Sequence, residues 1–413
     1  MSRSVRLSLL VPAIVATAAA AFAQPAKFED VVRNLRNPDK KIRVSAVRLL
    51  REAGYVEAIG PMAPLVNDPI NEIQLEAIAS ELTFFLVEPV PGKKRVAFVL
   101  EMPTEGRGAA AFEAGPLATW PRSAPPELID ALLTAMDDDD KDVRLEAVYT
   151  LGVVAGASGA PLSDAAAARL IKALDHSDPR VRAGAAEVIG RLRIKSAKDG
   201  LLKAVNDPSP AVRFGSIRAL GEIGDETLVQ PITEQLNYYE RGDGAHAALT
   251  ALARIAHPSS VPVFQSYLKD KDPRFRRAAV EGLAHVGDAK TVETFVQSVN
   301  QDEAEMVRAA MAFALHRKGF RNYLGRLIDF MDHHQSAEQV QGYLLELGPS
   351  VVPQLVPRLQ EPDEGVRAHL AEVLGALGNQ STVSVLTPLQ NDSDRDVATA
   401  ATHAIERIKM AQK

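Results

Sequence analysis

The chain has 413 residues, with 47 basic and 53 acidic side chains, a formal net charge of −6 and no cysteine. A mildly acidic, charge-mixed chain lacks the basic stripe of a nonspecific nucleic-acid binder, and zero cysteine excludes disulfides, thiolate nucleophiles and an acylated cysteine. A globular chain of this length usually divides into two or three domains, unless it grows lengthwise by repetition.

The first 23 residues read as a signal peptide. Arg3 and Arg6 precede an apolar, Ala-rich run from Leu9 to Ala21, and Ala21-Phe22-Ala23 supplies a small-x-small cleavage pattern. The run is shorter than the roughly 20 residues of a membrane span, and no later segment is long and apolar enough for one. The expected mature protein begins at Gln24 and is periplasmic or secreted.

From residue 24 onward a phrase recurs, an apolar residue followed by Arg, at Ile42-Arg43, Val143-Arg144, Val181-Arg182, Val212-Arg213, Phe275-Arg276, Val307-Arg308 and Val366-Arg367. A glycine follows eleven residues after several of these arginines, as at Gly54, Gly224, Gly287, Gly319 and Gly378. Aligned on that closing position, Gln74, Ala245, Ala337 and Ala398 occupy the arginine position of weaker copies. From Arg182 the steps are 31, 32, 31, 32, 29, 30 and 31 residues, a period that marks a stacked-repeat solenoid.

The unit at 167–193 shows how each copy is built. Leu170, Ile171 and Leu174 form one apolar face of a first helix. Asp178-Pro179 then gives a capping acceptor followed by the residue suited to the first helical position. Val181, Ala185, Val188, Ile189 and Leu192 continue as the face of a second, antiparallel helix. Asp recurs four residues before the arginine position at Asp39, Asp140, Asp178, Asp272, Asp363 and Asp394. First helices follow the same grammar at Leu201 to Val205, Val261 to Leu268, Thr291 to Val299, Tyr323 to Met331, Val351 to Leu359 and Val383 to Leu389.

One stretch departs from it. Gln74 and Arg144 lie 70 residues apart, so residues 87–126 are an insertion between repeats at 24–86 and a longer array at 127–413. Pro89, Pro91 and Gly92 open it, Trp120, Pro121, Pro125 and Pro126 close it, and the β-branched run Val96 to Leu100 is expected to form one or two short strands. Long irregular segments are disproportionately functional. Phe98, Phe112 and Trp120, with Lys93-Lys94-Arg95 nearby, are therefore either anchors for a partner or an internal cover for the solenoid. A Gly/Ala/Ser-rich stretch from Ala155 to Asp164 reads as a slack loop.

The unit resembles the HEAT family of helical repeats, in the short form also found in phycobilin lyases, over nearly all of the chain after the leader. The resemblance implies an all-α, right-handed α-solenoid of about eleven antiparallel helix pairs, with one irregular insertion after the second unit. It also implies that turn Asp and second-helix Arg form a hydrogen-bonded ladder, a role that falls on Asp39 and Arg43, Asp140 and Arg144, Asp178 and Arg182, Asp272 and Arg276, and Asp363 and Arg367. Arg213 and Arg308 extend that row, whereas Gln74, Ala245, Ala337 and Ala398 are expected to break it. Paired carboxylates cancel the field that an anion track of arginines would need.

No catalytic constellation emerges. The deoxyhypusine hydroxylases, metal enzymes on a similar fold, bind metal through His-Glu motifs, and none of the nine histidines here is followed by Glu. Asp329, Asp332, His333 and His334, with His316 nearby, read as a polar turn, since adjacent histidines at a helix end point apart. Asp137 to Asp140 lacks the alternating pattern and central Gly of a calcium loop, and no phosphate-binding glycine fingerprint follows a strand. The expectation is a non-enzymatic scaffold for an unidentified protein or peptide, without cofactor, nucleic acid, membrane span or small-molecule substrate. A bilin-lyase-like or metal-dependent enzyme is the alternative.

Overall fold

The computed structural model describes residues 27–88, 106–332 and 336–412. The expected signal peptide, the run Val96 to Leu100 with Phe98, Lys93-Lys94-Arg95, and the pair His333-His334 lie outside the described residues. Among the described residues the regular elements are helices, and no helix is long and apolar enough to cross a membrane.

Eleven helix pairs follow one another. Their second helices are Lys40–Glu52, Asn71–Phe85, Lys141–Ser158, Pro179–Arg191, Pro210–Ile223, Gly242–Ile255, Pro273–Val286, Glu305–Lys318, Ala337–Leu347, Glu364–Leu377 and Arg395–Met410, which number the units 1 to 11. The first helices are shorter, from the four-residue Ile59–Met62 and Val352–Leu355 to the eleven-residue Val229–Tyr239, and many adjoin a 3-10 turn.

The local causes are those in the sequence. The carboxylates of Asp39, Asp178 and Asp272 accept from the backbone N–H two residues on, at 2.8, 2.9 and 2.8 Å, and Asp363 accepts from Val366 N–H at 2.9 Å. Each satisfies a helix donor otherwise left without a partner. Pro179, Pro210 and Pro273 open their helices where a missing N–H does no harm. At the other end, Gly224 and Gly287 stop their helices with φ of 71° and 78°, a conformation that favours glycine.

The core runs the length of the stack. Seven residues after each arginine position sits a buried Leu or Ile: Leu50, Leu151, Ile189, Leu220, Leu252, Leu283, Leu315, Leu344, Leu374 and Ile405. Each such burial contributes about 1.5–3 kcal/mol. Unit 2 is the exception, with Glu81 in that position, fully buried and with neither carboxylate oxygen hydrogen-bonded. Burial pushes its carboxyl well above the ordinary range. Small residues set the closest approaches between units: a Cβ on Gly221 would lie 2.5 Å from the Ala251 Cα.

Side chains on second helices two and three units apart touch, Tyr343 reaching Glu281 and Arg254 approaching Glu346. Only a row on the inside of a tight curve can do that, so the second helices line the inner face.

Where it is described, the insertion is partly helical. Residues Arg107–Glu113 form a helix packed on the second helix of unit 3, and Pro116–Ala118 form a single 3-10 turn. Among the described residues the one strand-like contact is an isolated antiparallel bridge between Leu86 and Thr119. The expected slack loop is also shorter than read: helix Lys141–Ser158 continues through Ala155, which is buried, and ends at Gly159.

Candidate interaction surface

Two sets of side chains project from the second helices, one at the turn edge and one on the inner face. At the turn edge each ladder arginine does two things. Arg182 donates from Nη1 to the carbonyls of His176 and Ser177, at 2.8 and 3.1 Å, closing its own turn. Its Nε and Nη2 form a bidentate pair with Asp207 of the next unit, at 2.7 and 2.9 Å. Arg43 with Asp68, Arg276 with Asp302 and Arg367 with Asp392 repeat this geometry. The hydrogen bond to Arg182 holds the Asp207 carboxyl below its ordinary range, as a fork-on-carboxylate pair should.

These arginines join adjacent units through carboxylates other than Asp39, Asp272 and Asp363. Asp39, Asp272 and Asp363 cap their own helices and receive nothing from Arg43, Arg276 and Arg367. The arginine instead crosses to an Asp about 25 residues on, while the nearer carboxylate accepts from backbone N–H groups of the helix it caps. Asp178 serves both purposes, capping its own helix and accepting from Arg144 Nη2 at 3.0 Å. Asp140, also a cap, takes Asn71 Nδ2 at 2.8 Å. Arg213 meets the Tyr239 hydroxyl at 2.8 Å in place of a carboxylate, and Arg308 donates to the Asp302 carbonyl at 3.1 Å. Gln74 does not break the row, since its Nε2 donates to Asp138 at 2.7 Å across the insertion.

The inner face carries a row that sequence reasoning missed. Nine residues after the arginine position lie Arg191, Glu222, Arg254, His285, Arg317, Glu346 and Arg407, and four residues before four of these lie Glu187, Arg218, Glu281 and His403. The signal was available: positions one helical turn apart, charged in most units, on the side of the helix opposite the packed residues. Glu346 is the hub, with His285 Nε2 and Arg317 Nη1 each 2.9 Å away and Arg254 Nη1 at 3.7 Å. Burial acts to raise its carboxyl, but the close contact with His285 and the charges of Arg317 and Arg254 outweigh it and hold it below the usual value. Tyr343 donates to Glu281 at 2.5 Å, stacks on Phe313 at 4.3 Å and accepts from Gln339 at 2.8 Å. Arg218 and Glu187, and Arg254 and Glu222, link units 4 to 6 at 3.2 and 3.3 Å.

The insertion occupies this same face. Glu146 accepts from the backbone N–H groups of Gly106 and Gly108, the latter at 2.8 Å, which pins the start of helix Arg107–Glu113 to unit 3. Phe112 is buried against Tyr149, under the Arg191 guanidinium at 3.5 Å. Gly152 makes the room, because a Cβ there would lie 2.6 Å from the Phe112 ring. Phe112 is thus internal packing and not an exposed anchor. Trp120 is half-buried, edge-on to His403 of unit 11 at 5.7 Å. Of the sequence candidates for chemistry, Asp329 is held by Arg358 at 2.6 Å, and no metal-binding group of three His, Asp or Glu side chains occurs among the described residues.

A family model described as HEAT repeats matches residues 167–243, 230–316 and 342–412. Among solved structures, an engineered protein is 20% identical, covering 92% of this chain and 98% of its own, with a TM-score of 0.41. The complex of CpcE and CpcF of phycocyanin lyase from Nostoc sp. PCC7120 is 17% identical over 61% of this chain and 96% of its own, with a TM-score of 0.42. A designed armadillo repeat protein in complex with the peptide (KR)4 is also 17% identical, over 63% and 99%, with a TM-score of 0.34. No curated protein sequence matches the chain.

Proposed function

The chain belongs to the HEAT repeat family, and from that premise we propose that it is an exported, non-enzymatic scaffold that binds a protein or peptide partner. The observation that carries this reading is the inner row. The residues that recur from unit to unit are committed to caps, core and ladder, while the inner positions from Arg191 to Arg407 change identity and sign along one continuous face. A surface that is constant in backbone and varied in side chain is how repeat proteins read an extended partner. Export rests on Arg3, Arg6 and the apolar run ending at Ala23; the amino-terminal sequence of protein recovered from periplasm or medium should begin at Gln24.

The test compares the native chain with the double reversal Glu222→Arg/Arg254→Glu, which keeps a pair but inverts it. A partner captured from envelope extracts by the native chain and lost by the variant, with unchanged helicity, supports the scaffold. A stoichiometric metal or tetrapyrrole in the purified protein overturns it in favour of a lyase-like or metal-dependent enzyme.

A further inference from the structure

The geometry points to a releasable clasp: residues 116–120 of the insertion grip unit 11, close the superhelix on itself, and thereby govern access to the inner face. On unit 11, Arg407 donates from Nη1 and Nη2 to the carbonyls of Pro116 and Leu117, at 3.2 and 2.6 Å, across 291 and 290 residues of chain. Trp120 sets its ring edge-on to His403 at an interplanar angle of 86°, and Glu88 Oε1 lies 3.8 Å from His403 Nδ1. Arg407 and His403 are the inner-row residues of their unit. The clasp thus uses the same positions that the rest of the face offers to a partner.

The two ends of the insertion are held unequally, which decides where it lets go. Its base closes on itself through Val87 N–H to Ala118 O at 2.9 Å and is tied to unit 2 by Trp120 N–H to Phe85 O at 2.8 Å. Its helix is fixed to units 3 and 4 by buried Phe112 in the Gly152 recess, and by Glu146. The hold on unit 11 is two hydrogen bonds to carbonyls, one aromatic edge and the approach of exposed Glu88 to His403. Among the described residues no carboxylate lies within ion-pair distance of Arg407, whose guanidinium is carried into the contact desolvated, whereas on release water would solvate it again. Separation therefore falls at unit 11, with the insertion remaining on units 2 to 4.

The absence of cysteine allows a clean test. Spin labels on Glu127→Cys and Lys409→Cys report the distance between exposed sites on units 3 and 11. The otherwise native chain should show one short, narrow population. Arg407→Ala with Trp120→Ala should lose it for longer, broader distances at unchanged helicity, and Arg407→Lys, which keeps a donor, should retain part of it. An unchanged distribution in the double variant, or a broad one in the native background, overturns the clasp. The inference rests on the scaffold reading only for what the opened face is for. The distances are measured without a partner, so failure of either idea leaves the other intact.

Discussion

The ladder arginines and the inner charged row sit nine residues apart on the same helices, yet they obey different rules. Arg43, Arg182, Arg276 and Arg367 have near-identical surroundings: two carbonyls of the preceding turn and a bidentate Asp of the next unit. They are 11–16% exposed. Arg191, Arg254, Arg317 and Arg407 share a position but not an environment, meeting a phenyl ring, two carboxylates, a crowded Glu346 and a pair of carbonyls respectively. The repeated side chain solves the one problem every unit has, joining its turn to the next. The varied one answers to what lies across the curve, and that differs for every unit.

Substitutions can break this contrast. The largest effect is expected for Arg182→Ala. It leaves the Asp207 carboxylate, 11% exposed, without its partner, and loss of one member of a buried pair costs about 3–5 kcal/mol. Urea unfolding should show it, and a loss under 1 kcal/mol would mean that the ladder is ornamental. Next comes Gly152→Val, which drives a side chain into the Phe112 ring. Overpacking of this kind costs about 1–3 kcal/mol, with faster amide exchange expected in Arg107–Glu113.

Glu81→Leu should act in the opposite direction, restoring the core residue of the other units and raising stability by about 1–3 kcal/mol, the cost of burying an unpaired polar group. In the native chain the folded-state carboxyl holds its proton to a higher pH than the unfolded one. The folded state then binds more protons, so stability falls as pH rises above the unfolded value of about 4.3. Glu81→Gln should remove that slope while keeping the shape, and equal slopes for the two chains would refute the assignment. The smallest effect belongs to Arg254→Ala. This inner arginine is 46% exposed, and such pairs contribute about 0–1 kcal/mol. The same substitution should nonetheless weaken partner capture, and unfolding and binding measured together separate the two roles.

Much of this was legible in the sequence, for physical reasons that also mark the limit. Helix pairs, Asp caps and Pro starts are local, set within four or five residues, and the eleven units follow from them. The ladder pairing was not local. Asp68, Asp207, Asp302 and Asp392 stand 25 or 26 residues downstream of their arginines, in the turn of the next unit, and the nearer Asp, four residues before, was an attractive decoy already engaged by backbone donors. The inner row was hidden differently: it has no constant residue, only a constant position, so a search for recurring letters passes over it. Phe112 and Trp120 were noticed as aromatics, but their burial depends on Gly152 and His403, residues 40 and 283 positions further along.

The contact between Arg407 and residues 116–117 also sets an order of events. Nearly all ladder and core contacts join neighbouring units, so segments of the stack can form independently and in any order. Closing a loop of some 290 residues must wait until the stack has brought its ends together, because the entropy of closure is lost before any contact offsets it. Ring closure is then expected late in folding. Because most other contacts join neighbouring units, the closure of residues 116–120 onto unit 11 is where a slow kinetic phase should be found.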